Sequence, residues 1–284
     1  SLGLEVWDGQ ANYLLFRSAN RGTPETMTGT LENGKEIKYR PSQFFFIDIR
    51  NGKIVQATDG HVGAVFLANR SNRMFLSRMD GDDWNMYVMD LDRFFADAAK
   101  KRAADFDSYL SFIGTFPASP EMGRPGGWCV NSDDSYAYIT VTREGSAEEK
   151  AAMAAKAFVP RDDQPKKVKQ TLCGIRKMNL KTGEVTVLAD MDFRVGHIQA
   201  SRFRPEEIVF CLETGGDADQ RMWYANAETD TFEPLYRETP LDWVTHETFG
   251  TEDYVYFNIL GWQDRLRKQA SGIFRINLRS GDVD

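Results

Sequence analysis

The three histidines of this chain are the side chains best suited to chemistry, and their positions repeat. His61, His197 and His246 each lie where one strand-hairpin-strand segment ends and the next begins. Histidine can transfer protons or bind metals near neutral pH because its ordinary pKa is roughly 6.5. His197 and His246 lie one repeat apart, so their side chains should come from neighbouring strands and face one mouth of the fold. We interpret them as a candidate site; the alternative for each is a hydrogen bond to a backbone carbonyl at the start of a strand.

The element that must position these histidines is a repeated hairpin. Similar segments occur as FIDIRNGKIV at 46–55, KMNLKTGEVTV at 177–187 and RINLRSGDV at 275–283. A period of about 40–50 residues with four short strands per unit is typical of a β-propeller, in which the first strand of each blade lines the central channel. We therefore expect an all-β fold of four-stranded antiparallel blades with short helical insertions.

The repeats favour one domain over residues 1–284, with about five blades visible of an expected seven and the C-terminal part incomplete. The turn pairs Asn51-Gly52, Thr182-Gly183 and Ser280-Gly281 supply the positive φ that tight hairpins need. Aligning the hairpins also places Asp90 at a turn. The predicted units are 1–59, 60–97, 98–192, 193–239 and 240–284.

Two insertions rich in Ala, Lys and Glu are predicted to be helices. They cover 92–107 and 146–157, and they explain why the step from Asp90 to Asn179 is about twice the others. Insertions of this kind either wall a binding groove or lie on the surface in contact with solvent.

Composition excludes several classes of function. A net charge of −7 argues against a nucleic-acid surface, and no apolar run reaches the roughly 18 residues of a membrane helix. No signal peptide is visible in SLGLEVWDG, although a chain that begins with Ser could have lost a leader. Cys129, Cys173 and Cys211 are far apart without a CxxC pair, which favours buried free thiols and a reducing compartment. We expect a cytoplasmic protein, or a periplasmic one if a leader was removed.

Further candidate side chains lie near the histidine register. Arg221 could clamp a substrate carboxylate or pair with Asp217 or Asp219. In the third unit GRPGGW occupies the histidine register and offers Arg124 and Trp128, the latter as a sugar platform or a core residue. No GxSxG, HExxH or P-loop occurs, so nucleophilic triads and phosphate cradles are not supported.

Four segments resemble the oligogalacturonate lyase family, seven-bladed propellers that cleave pectic oligosaccharides by β-elimination. They are GHIQASRFRP, FCLETGGDADQRMW, WVTHE and FNILGW, and the resemblance is best over 120–284. It implies that His246, in the THE motif, is a ligand for Mn²⁺ or another divalent ion. The other ligands are expected in a Gln-x-x-His-x-His segment beyond Asp284. The family's catalytic histidine is expected upstream of the GH motif, but 146–190 contains no histidine, and its nearby bases are Lys166, Lys167, Lys169 and Arg176.

The chemistry of β-elimination indicates what each candidate would do. Removing the weakly acidic C5 proton of a uronate requires a neutral base, and a cation must stabilise the charge that develops on the carboxylate. We therefore predict His197 and Arg221 as catalytic residues and His246 as the metal ligand. The predicted substrate contacts are Arg124, Trp128 and Gln199.

Three functions remain as alternatives. The first is a metal-assisted lyase for short acidic oligosaccharides, without nucleic-acid or membrane partners and with homo-oligomerisation left open. The second is a non-catalytic propeller that binds acidic sugars or proteins. The third is a glycoside hydrolase, which needs paired carboxylates, and Glu213 and Glu247 are the candidates for it.

Overall fold

The fold is all-β, as the repeats predict: a β-propeller of antiparallel blades with short helices. No helix in the described part of the chain is long and apolar enough to cross a membrane. A computed structural model describes residues 11–19, 21, 26–30, 34–60, 62–81, 83–100, 105–155, 171–214, 218–261, 266 and 271–284.

The chain divides into two compact units, of which the first comprises the residues up to Phe116 together with Lys181–Gly183. It contains a three-stranded sheet in the order β1-β4-β5, a β2-β3 pair and a four-stranded sheet β6-β7-β8-β9. The strands are β1 (Tyr13–Ser18), β2 (Met27–Thr30), β3 (Glu36–Tyr39), β4 (Gln43–Asp48), β5 (Ile54–Gln56), β6 (Val62–Leu67), β7 (Arg73–Asp80), β8 (Asp83–Asp90) and β9 (Leu110–Phe116).

The second unit, Pro117–Leu180 with Glu184–Asp284, contains two four-stranded sheets and one of three strands. In chain order they are β10 to β13, β14 to β17, and β18 to β20. The strands are β10 (Arg124–Val130), β11 (Tyr136–Thr142), β12 (Cys173–Asn179), β13 (Val185–Met191), β14 (Val195–Ala200), β15 (Glu207–Leu212), β16 (Met222–Asn226), β17 (Thr231–Pro234), β18 (Val244–Phe249), β19 (Tyr254–Ile259) and β20 (Gly272–Asn277). The first strands of these sheets contact one another, β10 with β14 and β14 with β18.

The second strands of the larger sheets carry many of the buried residues, and the first and third strands and the helix after β8 add to the cores. Every residue of β15 is buried, because this strand packs on both faces. In the second unit Val209 of β15, Met222 of β16 and Val255 and Phe257 of β19 form one apolar cluster. The resulting packing between β15 and β18 brings residues of two adjacent sheets close together.

The hairpin turns confirm the predicted glycine positions. Gly52, Gly183 and Gly281 have φ of 73°, 76° and 75°, a region that glycine occupies without a steric cost. Asn226 and Asn277 accept hydrogen bonds from backbone N–H groups two and three residues later, so each side chain closes its own turn.

The prediction of a hairpin turn at Asp90 is wrong. Asp90 instead caps the helix α1 (Leu91–Ala99), where its Oδ1 accepts a hydrogen bond from the N–H of Arg93 at 3.0 Å. Asp is suited to both roles because its short carboxylate reaches backbone N–H groups two or three residues on. The predicted boundary at 97/98 is wrong for the same reason. The helix interrupts the second sheet, and β9 completes it after the insertion.

Both predicted helical insertions are present, but they differ in burial. The helix α1 buries Leu91, Phe94 and Phe95 in the core of the first unit. The helix α2 (Ala147–Ala155) buries no residue, and a short 3-10 helix spans Asp107–Tyr109. Residues 156–170, with the candidate bases Lys166, Lys167 and Lys169, lie outside the described residues.

A β-bulge recurs in the first strand of four sheets. In β14 two residues, His197 and Ile198, lie opposite one residue of β15, and in β18 the pair His246 and Glu247 lies opposite one residue of β19. The same irregularity occurs between Pro125 and Trp128 in β10 and between Val62 and Val65 in β6. Bulges redirect side chains and are frequent next to functional sites.

Candidate active site

The bulges of β14 and β18 place two histidines in equivalent backbone positions. His197 has φ of 50° and His246 has φ of 56°. Both values lie in the left-handed region, which residues other than Gly rarely adopt. His197 is the first bulge residue of β14, and His246 is the first bulge residue of β18. The predicted equivalence of these two histidines is therefore present in the backbone. His61 lies outside the described residues, and the first bulge residue of β6 is Gly63.

The imidazole of His197 contacts a carboxylate on each side. Its Nδ1 lies 3.2 Å from Oε1 of Glu247, and its Nε2 lies 3.3 Å from Oε2 of Glu213. The side chain of His197 is 43% exposed, whereas that of Glu247 is fully buried. The ring is thus held between the two carboxylates and remains partly exposed to solvent.

Glu247 is held by the backbone as well as by the histidine. The side-chain amide of Gln199 donates to the backbone oxygen of Glu247 at 2.6 Å, a hydrogen bond between β14 and β18. Among the described residues, Oε2 of Glu247 and Oε1 of Gln199 are buried without a hydrogen-bond partner. Such atoms carry a desolvation cost, which is tolerated most often where a site must keep an acceptor ready.

Beneath the histidine lies a buried guanidinium. Arg221 is 3% exposed, and its NH2 group lies 3.9 Å from Oε2 of Glu213 and 3.7 Å from Sγ of Cys211. Its NH1 group donates to the hydroxyl of Thr214 at 3.4 Å. The sequence predicts that Arg221 either clamps a substrate carboxylate or forms a structural ion pair. The observed contacts fit the structural role, because Arg221 stabilises the charge of Glu213. Asp217, one predicted partner, lies outside the described residues.

Gly196 explains why a glycine precedes the histidine in the GH motif. A Cβ atom at this position would lie 2.8 Å from Cβ of Glu213 and 3.1 Å from its Oε2. These separations are too short for a real Cβ, so the side chain of Glu213 occupies the space that a larger residue would fill. The tertiary contact with Glu213 therefore requires a glycine at this position of the sequence.

The ionisation of the site follows from these contacts. The hydrogen bond with Glu247 raises the pKa of His197 above its usual value, while burial acts in the opposite direction. Burial raises the pKa of the Cys211 thiol, which is therefore neutral at physiological pH in the absence of a metal. The group can therefore hold a proton on the imidazole between two carboxylates.

The other predicted site residues lie in different environments. His246 is exposed at its bulge, and Arg124 is exposed at the first position of β10. Trp128 is 3% exposed within β10, which matches the core alternative and gives no support to a sugar platform. Arg176, a candidate base, is fully buried, and it donates to the backbone oxygens of Met122 and Glu121, so it has a structural role.

Three residues of this site have roles that the sequence does not predict. The sequence predicts Glu213 and Glu247 only as a hydrolase pair and Cys211 only as a buried thiol, whereas His197 lies between the two carboxylates. The sequence signal for Glu213 is its position directly after the fully buried strand β15. The signal for Glu247 is its place beside His246 in the same bulge.

The described residues contain one group that could hold a metal ion, His197, Cys211 and Glu213, whose donor atoms all lie within 4.8 Å of one another. Manganese prefers carboxylate, carbonyl and water ligands, and a neutral buried thiol does not suit it. His246 is not part of this group. The described residues therefore do not complete a manganese site.

Comparisons with known proteins reveal the relatives of this fold. No protein-family model and no curated protein matches the sequence. A structure of oligogalacturonate lyase in complex with manganese matches 98% of this chain and 63% of its own, with a TM-score of 0.65 and 18% identity. An oligogalacturonate lyase structure from Vibrio parahaemolyticus matches 100% of this chain and 64% of its own, with a TM-score of 0.65 and 15% identity.

A putative TolB from Agrobacterium tumefaciens is more distant. It has a TM-score of 0.50 and 10% identity over 91% of this chain and 79% of its own. The chain spans less than two thirds of the length of the two lyase chains that it matches. This chain therefore shares its fold with structures of oligogalacturonate lyases, the family that its histidine motifs resemble.

Proposed function

We propose that this protein is a lyase that cleaves short uronic-acid oligosaccharides by β-elimination. The observation that carries the proposal is the imidazole of His197, held between Glu247 and Glu213 and partly open to solvent. Strained backbone at a polar side chain of this kind is concentrated at functional sites. The likeness in fold to oligogalacturonate lyases supports pectic oligosaccharides as the substrate class.

In this reaction His197 would act as the base. The Nδ1–H group would donate a hydrogen bond to Glu247, which fixes the tautomer, and Nε2 would take the C5 proton once its contact with Glu213 opens. The imidazolium that forms is stabilised by two carboxylates, Glu247 and Glu213. The electron pair of the broken C–H bond forms the C4–C5 double bond as the C4–O bond breaks, and the leaving oxygen takes a proton from solvent water.

The carboxylate of the substrate also needs a cation. Arg221 is engaged with Glu213 and buried, so it positions that carboxylate and we do not expect it to contact the sugar. Arg124 is exposed and is the proposed contact from the protein. His246 stays the candidate ligand for a divalent cation by family resemblance, and the other ligands for such an ion are not among the described residues.

The test uses the complete polypeptide with digalacturonate, with and without added Mn²⁺. We expect growth of the ultraviolet absorbance of an unsaturated uronate, and we expect His197→Asn to lower kcat by about 10²- to 10⁴-fold. Asn tolerates the left-handed backbone conformation, so the variant should fold, with a thermal unfolding midpoint lowered by the loss of the contact with the buried Glu247. A folded wild-type protein that forms no product would contradict the proposal.

A binding function is distinguished in the same experiment. If calorimetry shows binding of digalacturonate while no product forms, the protein is a binding module for acidic sugars. In that case there is no catalytic rate for His197→Asn to lower. The affinity of the variant for digalacturonate would be compared with that of the wild type.

A further inference from the structure

We infer that His197, Cys211 and Glu213 form a binding site for a thiophilic divalent cation such as Zn²⁺. This site is separate from the manganese site that the family resemblance implies, because it does not include His246. The inference does not require the proposed lyase activity, but Zn²⁺ would occupy Nε2 of His197, the proposed base, so a bound ion would inhibit the elimination. It rests on the distances, the buried charges and the exposure of these side chains.

The distances are close to those that tetrahedral zinc requires. With Zn–N and Zn–O bonds of about 2.0 Å and a Zn–S bond of about 2.3 Å, neighbouring donors lie about 3.3–3.6 Å apart. Nε2 of His197 lies 3.3 Å from Oε2 of Glu213. Sγ of Cys211 lies 3.9 Å from the same oxygen, and all three donors lie within 4.8 Å of one another. Small shifts of the side chains would complete three corners of a tetrahedron.

The surrounding groups support a bound cation. Glu247 contacts Nδ1 of His197, and a carboxylate on the far nitrogen is the usual partner of a metal-binding histidine. Counting Cys211, Glu213, Glu247, Arg221 and a neutral His197, the cluster has one negative charge in excess. A divalent cation that displaces the thiol proton makes the same group neutral.

The guanidinium of Arg221 helps to explain how a buried thiol could ionise. Its NH2 group donates to Sγ of Cys211 at 3.7 Å, which favours the thiolate form when a metal binds. Zinc itself deprotonates a coordinated thiol. The thiolate then selects zinc or cobalt over manganese, because soft donors bind soft cations better.

The cluster of His197, Cys211 and Glu213 is partly exposed, so an ion can reach it from solvent. The side chain of His197 is 43% exposed and that of Glu213 is 17% exposed, while Cys211 is fully buried. An ion would therefore reach the site from the solvent side of the histidine. A fourth ligand would have to come from water or from a bound molecule.

Titration with Co²⁺ tests the inference, because a cobalt–thiolate bond produces a charge-transfer band in the near ultraviolet. We expect this band at one equivalent of Co²⁺ in the complete polypeptide without substrate, and its loss on addition of Zn²⁺. Cys211→Ser should abolish the band. Cys129→Ser and Cys173→Ser are matched controls, since both thiols are also free and buried, and both should retain the band.

A second variant protects the test against misfolding of Cys211→Ser. His197 is partly exposed, so His197→Gln should fold and should lower Co²⁺ affinity by at least about 10-fold. No band in the folded wild type, or a band that survives in both Cys211→Ser and His197→Gln, would overturn the inference. Because no sugar is present, failure here leaves the proposed lyase activity unaffected, and absence of lyase activity leaves this result unaffected.

Discussion

At the scale of single residues, the site depends on a backbone conformation that histidine adopts only at a cost. Left-handed φ values at His197 and His246 cost of order 1–3 kcal/mol each. The surrounding contacts must offset that cost, and at His197 they are the two carboxylates and the bulge held by Gln199. The backbone strain retained at His197 is the reason to assign this residue a functional role and not a capping role.

Gly196 gives a prediction at the same scale. Gly196→Ala should displace the side chain of Glu213, because the new Cβ would lie 2.8 Å from Cβ of Glu213. We expect a loss of about 1–3 kcal/mol in the free energy of unfolding from this overpacking. Co²⁺ affinity should fall as well, since Glu213 is a proposed ligand.

The control for that variant lies in the equivalent bulge of β10. A Cβ at Gly127 would meet Oγ1 of Thr140 at 3.6 Å, an ordinary contact. Gly127→Ala should therefore leave Co²⁺ affinity unchanged in the same titration. An equal loss of affinity in both variants would mean that Gly196 does not shape the position of Glu213.

At the scale of elements, the first hairpin depends on an ionised carboxylate. Asp48 accepts hydrogen bonds from the side chain and the N–H of Arg50, and the Arg50 hydrogen bond lowers the pKa of Asp48 from 3.8 to about 2. A lowered pKa in the folded state means that the stabilisation is present above pH 4 and is lost as the pH falls towards 2.

Asp48→Asn tests this pH dependence. The amide can still accept the turn hydrogen bond, but it loses the ion pair with Arg50, so the variant should be less stable than wild type at pH 6. The difference in urea midpoint should shrink as the pH is lowered from 4 towards 2. A difference that stays constant over that range would show that the charge of Asp48 is not responsible.

The two helices differ in what they contribute to stability. Phe94 of α1 is fully buried and packs edge-on against Tyr109, so Phe94→Ala should cost about 3–5 kcal/mol in the free energy of unfolding. The helix α2 buries no residue, so Met153→Ala should change stability by less than about 0.5 kcal/mol. Urea unfolding followed by circular dichroism measures both. A similar cost for the two variants would contradict the assignment of α1 to the core.

At the scale of the whole molecule, neighbouring sheets of the second unit are joined by buried charge. Arg279, which follows β20, forms ion pairs with the buried Glu207 of β15 and with Asp253. The hydroxyl of Tyr224 donates to the same oxygen of Glu207 at 3.2 Å. The end of the β20 hairpin is thereby fixed to the preceding sheet.

Arg279→Met should be strongly destabilising, because it leaves the carboxylate of Glu207 buried without its cation. A loss of about 1–3 kcal/mol is expected for leaving this buried acceptor without its charged partner, since Arg279 itself is 39% exposed. Arg275→Met is the matched control, since Arg275 pairs with the exposed Asp284 and its loss should cost less than about 1 kcal/mol. Equal urea midpoints for the two variants would show that the Glu207 pair does not join the sheets.

The sequence by itself determined the local structure: the hairpins, their glycine turns and the all-β propeller class. Turns of this type depend on two or three adjacent residues, so Asn51-Gly52 and Ser280-Gly281 could be assigned without knowledge of their neighbours. The repeat spacing could likewise be read along the chain. The equivalence of His197 and His246 follows from that spacing and is present in the bulges.

Only the tertiary structure decided which side chains meet. The partners of His197 lie on other strands, Glu213 after β15 and Glu247 in β18, and no local pattern encodes those distances. The same reason explains why β9 pairs with β8 across an inserted helix. It also explains why Arg176 has a structural role, as a donor to the backbone oxygen of Met122. Pairing between distant segments depends on how sheets pack, and a single bulge residue changes which side chains face each other.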